Sequence, residues 1–324
     1  MVWPVVCLGR DARNDVHPIA LRNFYTGACS SSHRVFRTLF LLLIAFVCLG
    51  IASRAQAEEP PYFVAYSHAL EEPGNLELAF KGLAASPRDA NGFVNSTLEL
   101  EYGSTAWWTT ELYLEGQRTQ NESTVFTGFR LENRFRPLPT EHWINPVLYV
   151  EYENVNGANK SLLEIVGHDG ISDLQESNAE TRAEIEREVE TKLILSTNAK
   201  GWNFSENFIA EKNLGGEAWE FGYALGASRP LSLMGSARTC TLCRQNFTLG
   251  AEMYGGLATA HDFGLDNTSH YAGPTVAFAV PSGPRIDFSP QFGLNDNSVG
   301  VLWRFKVSYE IQQFRDLFRR GGAR

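Results

Sequence analysis

The chain has 324 residues, of which 44% are hydrophobic and 20% charged, a composition that excludes a disordered protein. Its formal net charge is −9, and without residues 1–57, which hold six of the 28 basic and two of the 37 acidic residues, it becomes −13. Phosphate contacts need a basic face, so this acidity excludes a nucleic-acid partner. No recognised motif indicates a cofactor.

The first element in chain order has the pattern of a secretory signal peptide. Leu39–Leu49 is an unbroken apolar run, preceded by Arg34 and Arg37 and followed by Ala55-Gln56-Ala57. The run is too short for a helical membrane span, which needs about 20 apolar residues. We therefore assign 1–57 to an N-terminal extension and signal peptide, and 58–73 to a short periplasmic segment that begins at the mature N-terminus.

The rest of the chain alternates polar and apolar residues with period two, and almost no segment shows the helical period. The predicted strands number about twelve and are longer than the strands of soluble proteins, as membrane-spanning barrel strands must be. The sequence therefore predicts an all-β protein, a single antiparallel transmembrane β-barrel over 74–311. The strands are Asn75–Gly82, Gly92–Gly103, Thr105–Gln117, Thr124–Phe135, Asn145–Glu153, Glu186–Asn198, Trp202–Lys212, Glu217–Ser228, Gln245–Gly255, His270–Val280, Arg285–Leu294 and Val299–Ile311.

Thr105–Gln117 illustrates the two faces of such a strand. Trp108 and Leu112 share one face, which suits lipid, and Glu111 and Glu115 share the other, which suits a lumen. The same reasoning predicts a mixed-charge, partly acidic lumen wall that would favour cations or neutral polar solutes over anions. Its residues are Glu99, Glu101, Glu111, Glu115, Arg130, Glu132, Arg134, Glu151, Glu153, Glu188, Glu190, Lys192, Arg304 and Lys306.

A soluble β-sandwich would also alternate, but its aromatic residues would spread along each strand in a single core. Here the aromatic residues gather near strand ends, as in the girdles of membrane barrels. The strand Trp202–Lys212 fits least well, since Glu206 shares the lipid face with Phe204 and Phe208. We expect a β-bulge or a register shift there.

The connections alternate between short turns on one side and longer loops on the other, as outer-membrane barrels do. The longest link, Val155–Ile185, leads into the glutamate-rich stretch Ser172–Glu190. We expect this stretch to be a solvated charged loop. If it folded inward, it would constrict the lumen as an acidic plug.

The segment Ser298–Phe305 resembles the signal by which the barrel-insertion machinery of Gram-negative bacteria recognises its clients, with Gly300, Trp303 and Phe305 at the defining positions. The signal usually ends a chain, whereas here a basic tail over 312–324 follows. EMYGG at 252–256 and HYAGPT at 270–275, with the strand order, resemble a group of bacterial outer-membrane barrels. That group includes the family named for the MetA pathway of phenol degradation, which implies small hydrophobic or aromatic solutes.

The histidines and cysteines of the mature chain indicate no catalytic or metal site. The histidines of the mature chain are His68, His142, His168, His261 and His270, and none lies within a strand beside a serine on the same face. Cys240 and Cys243 form a lone CxxC, which in an exported chain favours a disulfide. The sequence predicts a protein that is not an enzyme.

We therefore expect a porin-like passive channel for small solutes in the outer membrane, in contact with membrane lipid and lipopolysaccharide. A closed barrel whose surface loops contact partners or lipopolysaccharide is the alternative. An outer-membrane hydrolase is a third and weaker hypothesis. The lumen charges support the first, but the same charges could instead pair across a filled lumen. The sequence does not give the oligomeric state.

Overall fold

The computed structural model describes residues 59–161, 173–234, 240–281 and 283–320. The predicted signal peptide and residue 58 lie outside the described residues. From residue 76 onward the chain forms twelve antiparallel strands that close into one barrel, in which β1 pairs with both β2 and β12. The predicted all-β barrel is confirmed. The strands are β1 Leu76–Ala85, β2 Phe93–Thr105, β3 Trp108–Thr119, β4 Thr124–Phe135, β5 Asn145–Asn156, β6 Ile185–Ala199, β7 Trp202–Asn213, β8 Trp219–Pro230, β9 Phe247–Thr259, β10 His270–Ala279, β11 Arg285–Gly293 and β12 Val301–Ile311.

The outer face of the barrel is apolar. Leu148, Phe208 and Phe80 are 51%, 48% and 44% exposed on it. Trp202 stacks on Phe204 near the start of β7, with ring centroids 6.2 Å apart. Large exposed apolar side chains around a closed sheet are stable only where lipid replaces water, so the strands are the membrane-spanning elements.

The strand β7 pairs in unbroken register with both β6 and β8. The bulge or register shift that we expected there is wrong. Asn203, Ser205 and Asn207 are all buried on the inner face. Because side chains alternate along a strand, these three inward polar groups leave Glu206 on the outer face, where it is exposed.

Among the described residues helices are few and short. They include α1 Asn178–Thr181, in the β5–β6 link, and α2 Phe314–Arg320, in the C-terminal tail, while 3-10 turns lie at Asp173–Gln175, Leu231–Met234 and Arg244–Asn246. In the part of the chain that the structure describes, no helix is long and apolar enough to cross a membrane. The start of α2 is tied to the start of β1, because the Arg315 amide donates to the Gly74 carbonyl at 3.2 Å.

Both chain ends of the barrel and the turns β2–β3, β4–β5, β6–β7, β8–β9 and β10–β11 lie at one rim, which we call the terminal rim. The connections β1–β2, β3–β4, β5–β6, β7–β8, β9–β10 and β11–β12 lie at the other, which we call the loop rim. This division follows from the antiparallel order of the strands. The longest connection, between Asn156 and Ile185, belongs to the loop rim.

Candidate functional site

Residues 59–74, which we call the N-terminal segment, arch into the lumen from the terminal rim. The arch begins near β11, where Arg285 donates to the carbonyl of Glu59 at 2.7 Å. It returns to the rim at Gly74, whose amide donates to the carbonyl of Gly103 at 2.7 Å. We expected 58–73 to be a short periplasmic segment before the barrel, whereas residues 62–68 contact side chains of the inner wall.

One carboxylate on β9 holds the top of the arch. The amides of Phe63, Val64 and Ala65 point to Oε2 of Glu252 at 3.0, 3.1 and 3.4 Å. Gln291 donates to the other oxygen of Glu252 at 2.9 Å. Three converging N–H groups around one buried carboxylate oxygen stabilise the charge and fix the backbone of the segment.

Tyr62 and Tyr66 fix the segment on both sides of that carboxylate. The hydroxyl of Tyr62 donates to Oδ1 of Asn203 at 3.1 Å. Tyr66 exchanges two hydrogen bonds with Asn207, since its amide donates to Oδ1 at 2.6 Å and its carbonyl accepts from Nδ2 at 2.9 Å. Gly226 makes room for the Tyr62 ring, because a Cβ there would lie 2.6 Å from the ring.

The side chain of Tyr66 reaches the opposite wall of the lumen. Its hydroxyl donates to Glu132 at 3.0 Å, and Tyr113 donates to the same carboxylate oxygen at 2.7 Å. The cations of Arg134 and Lys192 lie 5.1 and 4.9 Å from the centre of the Tyr66 ring. The segment thus spans the lumen from β7 and β9 to β3 and β4, and cation–π contacts add to its attachment.

His68 anchors the descending arm of the arch. Its Nδ1 forms a short hydrogen bond with the hydroxyl of Ser196, and its Nε2 lies 3.1 Å from a carboxylate oxygen of Glu141. In the neutral tautomer that donates Nε2–H to Glu141, Nδ1 is the acceptor. Ser196 is buried on β6, while Glu141 lies in the β4–β5 turn with its side chain 54% exposed. The sequence pattern missed this contact, because His68 and Ser196 are far apart in the chain and only the barrel brings them together.

Burial in the lumen shifts the pKa values of titratable side chains in the N-terminal segment. Desolvation raises the pKa of Tyr66 and lowers the pKa of His68, although the nearby Glu141 charge opposes the shift of His68. Desolvation, followed by the charge of Glu310, raises the pKa of Glu71 to about 8. A neutral His68 accepts the hydrogen bond from Ser196, so the anchor is formed at neutral pH.

A second insertion enters the lumen from the loop rim. Asn159 donates to Glu115 through a short hydrogen bond, and the Lys160 amide donates to Gln117 at 2.9 Å. The Lys160 ammonium donates to the carbonyls of Leu174 and Glu176 at 2.8 and 2.7 Å. Thus residues 157–161 of the β5–β6 link enter the lumen. These carbonyls belong to the acidic stretch Ser172–Glu190, whose first residue lies outside the described residues.

Beside the N-terminal segment the lumen holds a cavity of about 50 Å³. This is space for a few water molecules. Its lining includes Glu99, Glu101, Glu111, Arg134 and Lys306.

The wall carries a row of glutamates that we call the glutamate ladder. Its members stand directly opposite one another on nine consecutive strands, in the order Glu310, Glu77, Glu101, Glu111, Glu132, Glu151, Glu190, Glu211 and Glu220. All occupy inward-facing positions. Because the strands tilt, the ladder climbs from the terminal rim, at the end of β12, to the loop rim, at the start of β8.

In the part of the chain that the structure describes, ion pairs join four cations to the ladder. Lys306 lies 2.9 Å from Glu77, Arg130 lies 3.0 Å from Glu151, and Lys192 lies 2.8 Å from Glu190. Arg134 binds three members at once, Glu101 at 2.5 Å, Glu132 at 3.0 Å and Glu111 through a shorter contact. These four cations thus contact six ladder members, and Arg134 is shared by three of them. Like charges directly opposite each other destabilise a sheet, so the ladder costs stability.

The structure brings the predicted lumen residues onto the inner wall, and it adds others that the sequence analysis did not name, among them the ladder members Glu211, Glu220 and Glu310. Glu77 and Lys81 on β1, Glu252 on β9 and Asp287 on β11 are inward-facing; Glu252 holds the segment and Asp287 pairs with Arg285 at 2.8 Å. Glu77 stands in the alternating LELAF and could have been found from the pattern. Of the other predicted positions, Arg304 donates to the Tyr254 hydroxyl at 3.2 Å and Glu188 accepts from Asn213 at 3.0 Å.

The remaining predicted positions lie away from the lumen. Cys240 and Cys243 are bonded to each other in the β8–β9 connection. Trp303 is exposed on the outer face of β12, and Gly300 directly precedes that strand. Phe305 packs against Phe80 with ring centroids 5.9 Å apart. The role of Gly300, Trp303 and Phe305 in insertion stays a prediction.

These features define a class of protein, a membrane-spanning antiparallel β-barrel with a charged inner wall and an internal N-terminal segment. No protein-family profile and no curated protein matches the chain, so the resemblance to the MetA-pathway family is not confirmed. Among solved structures, the KdgM porin is similar at 7% identity with a TM-score of 0.42, over 72% of this chain and 98% of that one.

Two further solved structures are similar to this chain. LpxR from Salmonella typhimurium is 10% identical with a TM-score of 0.39, over 72% of this chain and 99% of that one. The translocator domain of the autotransporter NalP from Neisseria meningitidis is 11% identical with a TM-score of 0.41, over 87% of this chain and 96% of that one. Such distant similarities leave the function to the site itself.

Proposed function

We propose that this protein is a porin-like outer-membrane channel for small solutes, selective for cations and closed at rest by its own N-terminal segment. Export through the predicted signal peptide and insertion by the barrel-insertion machinery would place it there. There, membrane lipid and lipopolysaccharide would surround the barrel. Its solutes are small, because both insertions narrow the lumen.

The glutamate ladder is the observation that carries this proposal. A closed structural barrel gains nothing from a row of acidic side chains that runs from rim to rim, since burying surplus charge is costly. A conducting barrel does gain, because a continuous row of carboxylates attracts cations along the whole path and repels anions. The shape of the row, rather than the number of acidic residues, favours a channel.

The experiment is single-channel recording of the purified, folded protein in planar bilayers under a KCl gradient. We expect brief openings whose reversal potential is shifted from zero toward the K⁺ equilibrium potential. Replacing one ladder member, Glu211→Gln, should reduce the K⁺ preference without abolishing the current. Glu217→Gln, an exposed position in the β7–β8 connection, is the matched control and should leave the preference unchanged.

A silent barrel that still shows heat-modifiable migration on gels would favour the alternative, a closed barrel whose surface loops meet partners or lipopolysaccharide. An anion-selective current would overturn the proposal directly. Recovery of the protein from a soluble periplasmic fraction would overturn the membrane assignment as well.

The contact of Ser196, His68 and Glu141 favours a second candidate function, hydrolysis. A hydroxyl, an imidazole and a carboxylate in sequence are the parts of a nucleophilic triad. Against it, the His68 amide also donates to the Ser196 oxygen at 3.2 Å, and Ser196 is buried. Labelling of the wild type but not of Ser196→Ala by a fluorophosphonate probe would support hydrolysis. An unlabelled protein would leave His68 as an anchor of the segment.

A further inference from the structure

Three carboxylates meet on the wall between β5 and β6. Glu151, Glu153 and Glu190 are 0%, 2% and 4% exposed, and each offers an oxygen within 4.8 Å of the others'. We call these three the β5–β6 cluster. Two of them belong to the glutamate ladder, and Glu153 stands one step nearer the loop rim, directly opposite Glu188.

The charges around the β5–β6 cluster do not balance. Cross-strand neighbours add two further carboxylates, Glu188 opposite Glu153 and Glu211 opposite Glu190. Two cations reach the cluster, Arg130 at Glu151 and Lys192 at Glu190, and Arg130 is shared with Glu115 at 2.8 Å. With every group ionised, at least three negative charges remain in a buried space. One divalent cation would remove most of that surplus.

Glu153 provides a second, independent observation. Its Oε2 is buried, and among the described residues no hydrogen-bond donor reaches it. An unpartnered buried carboxylate oxygen is costly, because burial strips its water without replacing it. The Glu153 carboxylate belongs to the cluster, where a bound cation would supply the missing contact.

A similar cluster on β1 and β2 differs in its ion pairs. Glu77, Glu99 and Glu101 also lie within 4.8 Å of one another and are buried. Oε1 of Glu77 and Oε2 of Glu99 likewise accept no hydrogen bond, but each is paired with a lysine, Lys306 and Lys81. Glu101 is paired with Arg134, so every member of this cluster contacts a cation. The two clusters thus differ in pairing rather than in composition, and the paired one serves as an internal control.

We propose that the β5–β6 cluster binds one calcium ion through Glu151, Glu153 and Glu190. Ca²⁺ takes carboxylate oxygens at about 2.3–2.6 Å in flexible geometry, so oxygens up to about 5 Å apart can share it. Mg²⁺ needs a tighter octahedron and binds such a site less well. The inference deepens the proposed function and rests on it, since the ion would occupy a fixed position on the cation path.

The test is calorimetric titration of Ca²⁺ into the folded, chelator-treated protein in detergent, paired with thermal unfolding. We expect one Ca²⁺ per barrel and a higher melting temperature with Ca²⁺ than with chelator. Glu153→Gln should weaken Ca²⁺ binding by about tenfold or more and abolish the calcium-dependent shift. The same variant should raise the melting temperature of the metal-free protein, because it removes an unpaired charge.

Glu77→Gln in the paired cluster is the matched control and should keep the wild-type Ca²⁺ affinity. Absence of Ca²⁺ binding by the wild type, or equal binding by Glu153→Gln, would overturn the proposal. Equal loss in both variants would also overturn it, since it would indicate a non-specific acidic lumen. None of these readouts depends on ion current. A barrel that binds Ca²⁺ but conducts no current would refute only the channel, and a barrel that conducts current but binds no Ca²⁺ would refute only the calcium site.

Discussion

At the scale of single residues, Glu206 is the side chain that least fits its surroundings. It is exposed on the outer face of β7, between Phe204 and Phe208, which are 46% and 48% exposed to the lipid side. The unbroken register of β7 leaves it no route to the lumen. A polar group in the apolar band costs stability to a degree that depends on depth.

We therefore expect Glu206→Leu to stabilise the barrel by about 1–2 kcal/mol, since the change removes a carboxylate from the lipid face. Urea unfolding in phospholipid vesicles measures the difference in unfolding free energy. Glu206→Gln, which keeps the shape and a polar group, should recover only part of the gain. A loss of stability in Glu206→Leu would contradict this reading and indicate that the carboxylate has a binding partner in the membrane.

At the scale of elements, the contribution of the N-terminal segment to the stability of the folded protein depends on pH through Glu71. Burial and the charges of Glu310, Glu59 and Glu77 raise the Glu71 pKa to about 8 in the folded protein, from about 4.5 when unfolded. Between those values the unfolded chain releases a proton that the folded chain keeps. The stability of the folded state therefore falls as the pH rises from about 4.5 to 8.

The expected outcome is that melting temperature in detergent decreases from pH 5 to pH 9 in the wild type and decreases less in Glu71→Gln. The variant should match the wild type near pH 4, where both side chains are neutral, and exceed it at pH 9. Glu72→Gln, at the exposed neighbouring position, is the control and should follow the wild type. Identical pH profiles for Glu71→Gln and the wild type would contradict the assignment.

The strands could be predicted from the sequence because each satisfies a local rule, alternation with period two between lipid and lumen. The strands follow it apart from register shifts at Gly103–Thr105, at Glu115–Gly116 and at Glu220–Gly222. Even Glu206 obeys the alternation, although its chemistry suggested a bulge. The segment 59–74 has no such local signal. Its residues are held by Glu252, Asn207 and Ser196, which lie more than 120 positions away along the chain. Contacts of that range depend on barrel closure, which no local pattern encodes.

The candidate site was predictable in part for the same reason. The alternation of side chains along a strand predicts which glutamates face the inner wall. Whether two such glutamates stand directly opposite each other depends on the register between neighbouring strands. The match of Glu151 with Glu190, or of Glu211 with Glu220, is set by strand stagger around the whole barrel. The sequence therefore indicated an acidic lumen without revealing a continuous ladder.

At the scale of the whole molecule, two features oppose each other. The glutamate ladder extends from rim to rim, which would suit the proposed cation path, while the N-terminal segment and residues 157–161 lie inside the lumen. The segment is attached to the wall by hydrogen bonds, by cation–π contacts and by apolar packing, in which Val64 and Ala65 join a buried cluster with wall residues such as Ile209. Its release would expose the ladder without unfolding the barrel, as expected for a gate.

The most direct test of this account is single-channel recording of Gly226→Val. The new side chain would occupy the space of the Tyr62 ring and displace the segment, so we expect more frequent openings or a larger cation current than in the wild type. Ala227→Val, one residue along and on the outer face, is the control, and Tyr66→Ala, which weakens the segment without altering the wall, should reproduce the effect. Folded Gly226→Val and Tyr66→Ala barrels that conduct no more than the wild type would contradict the account.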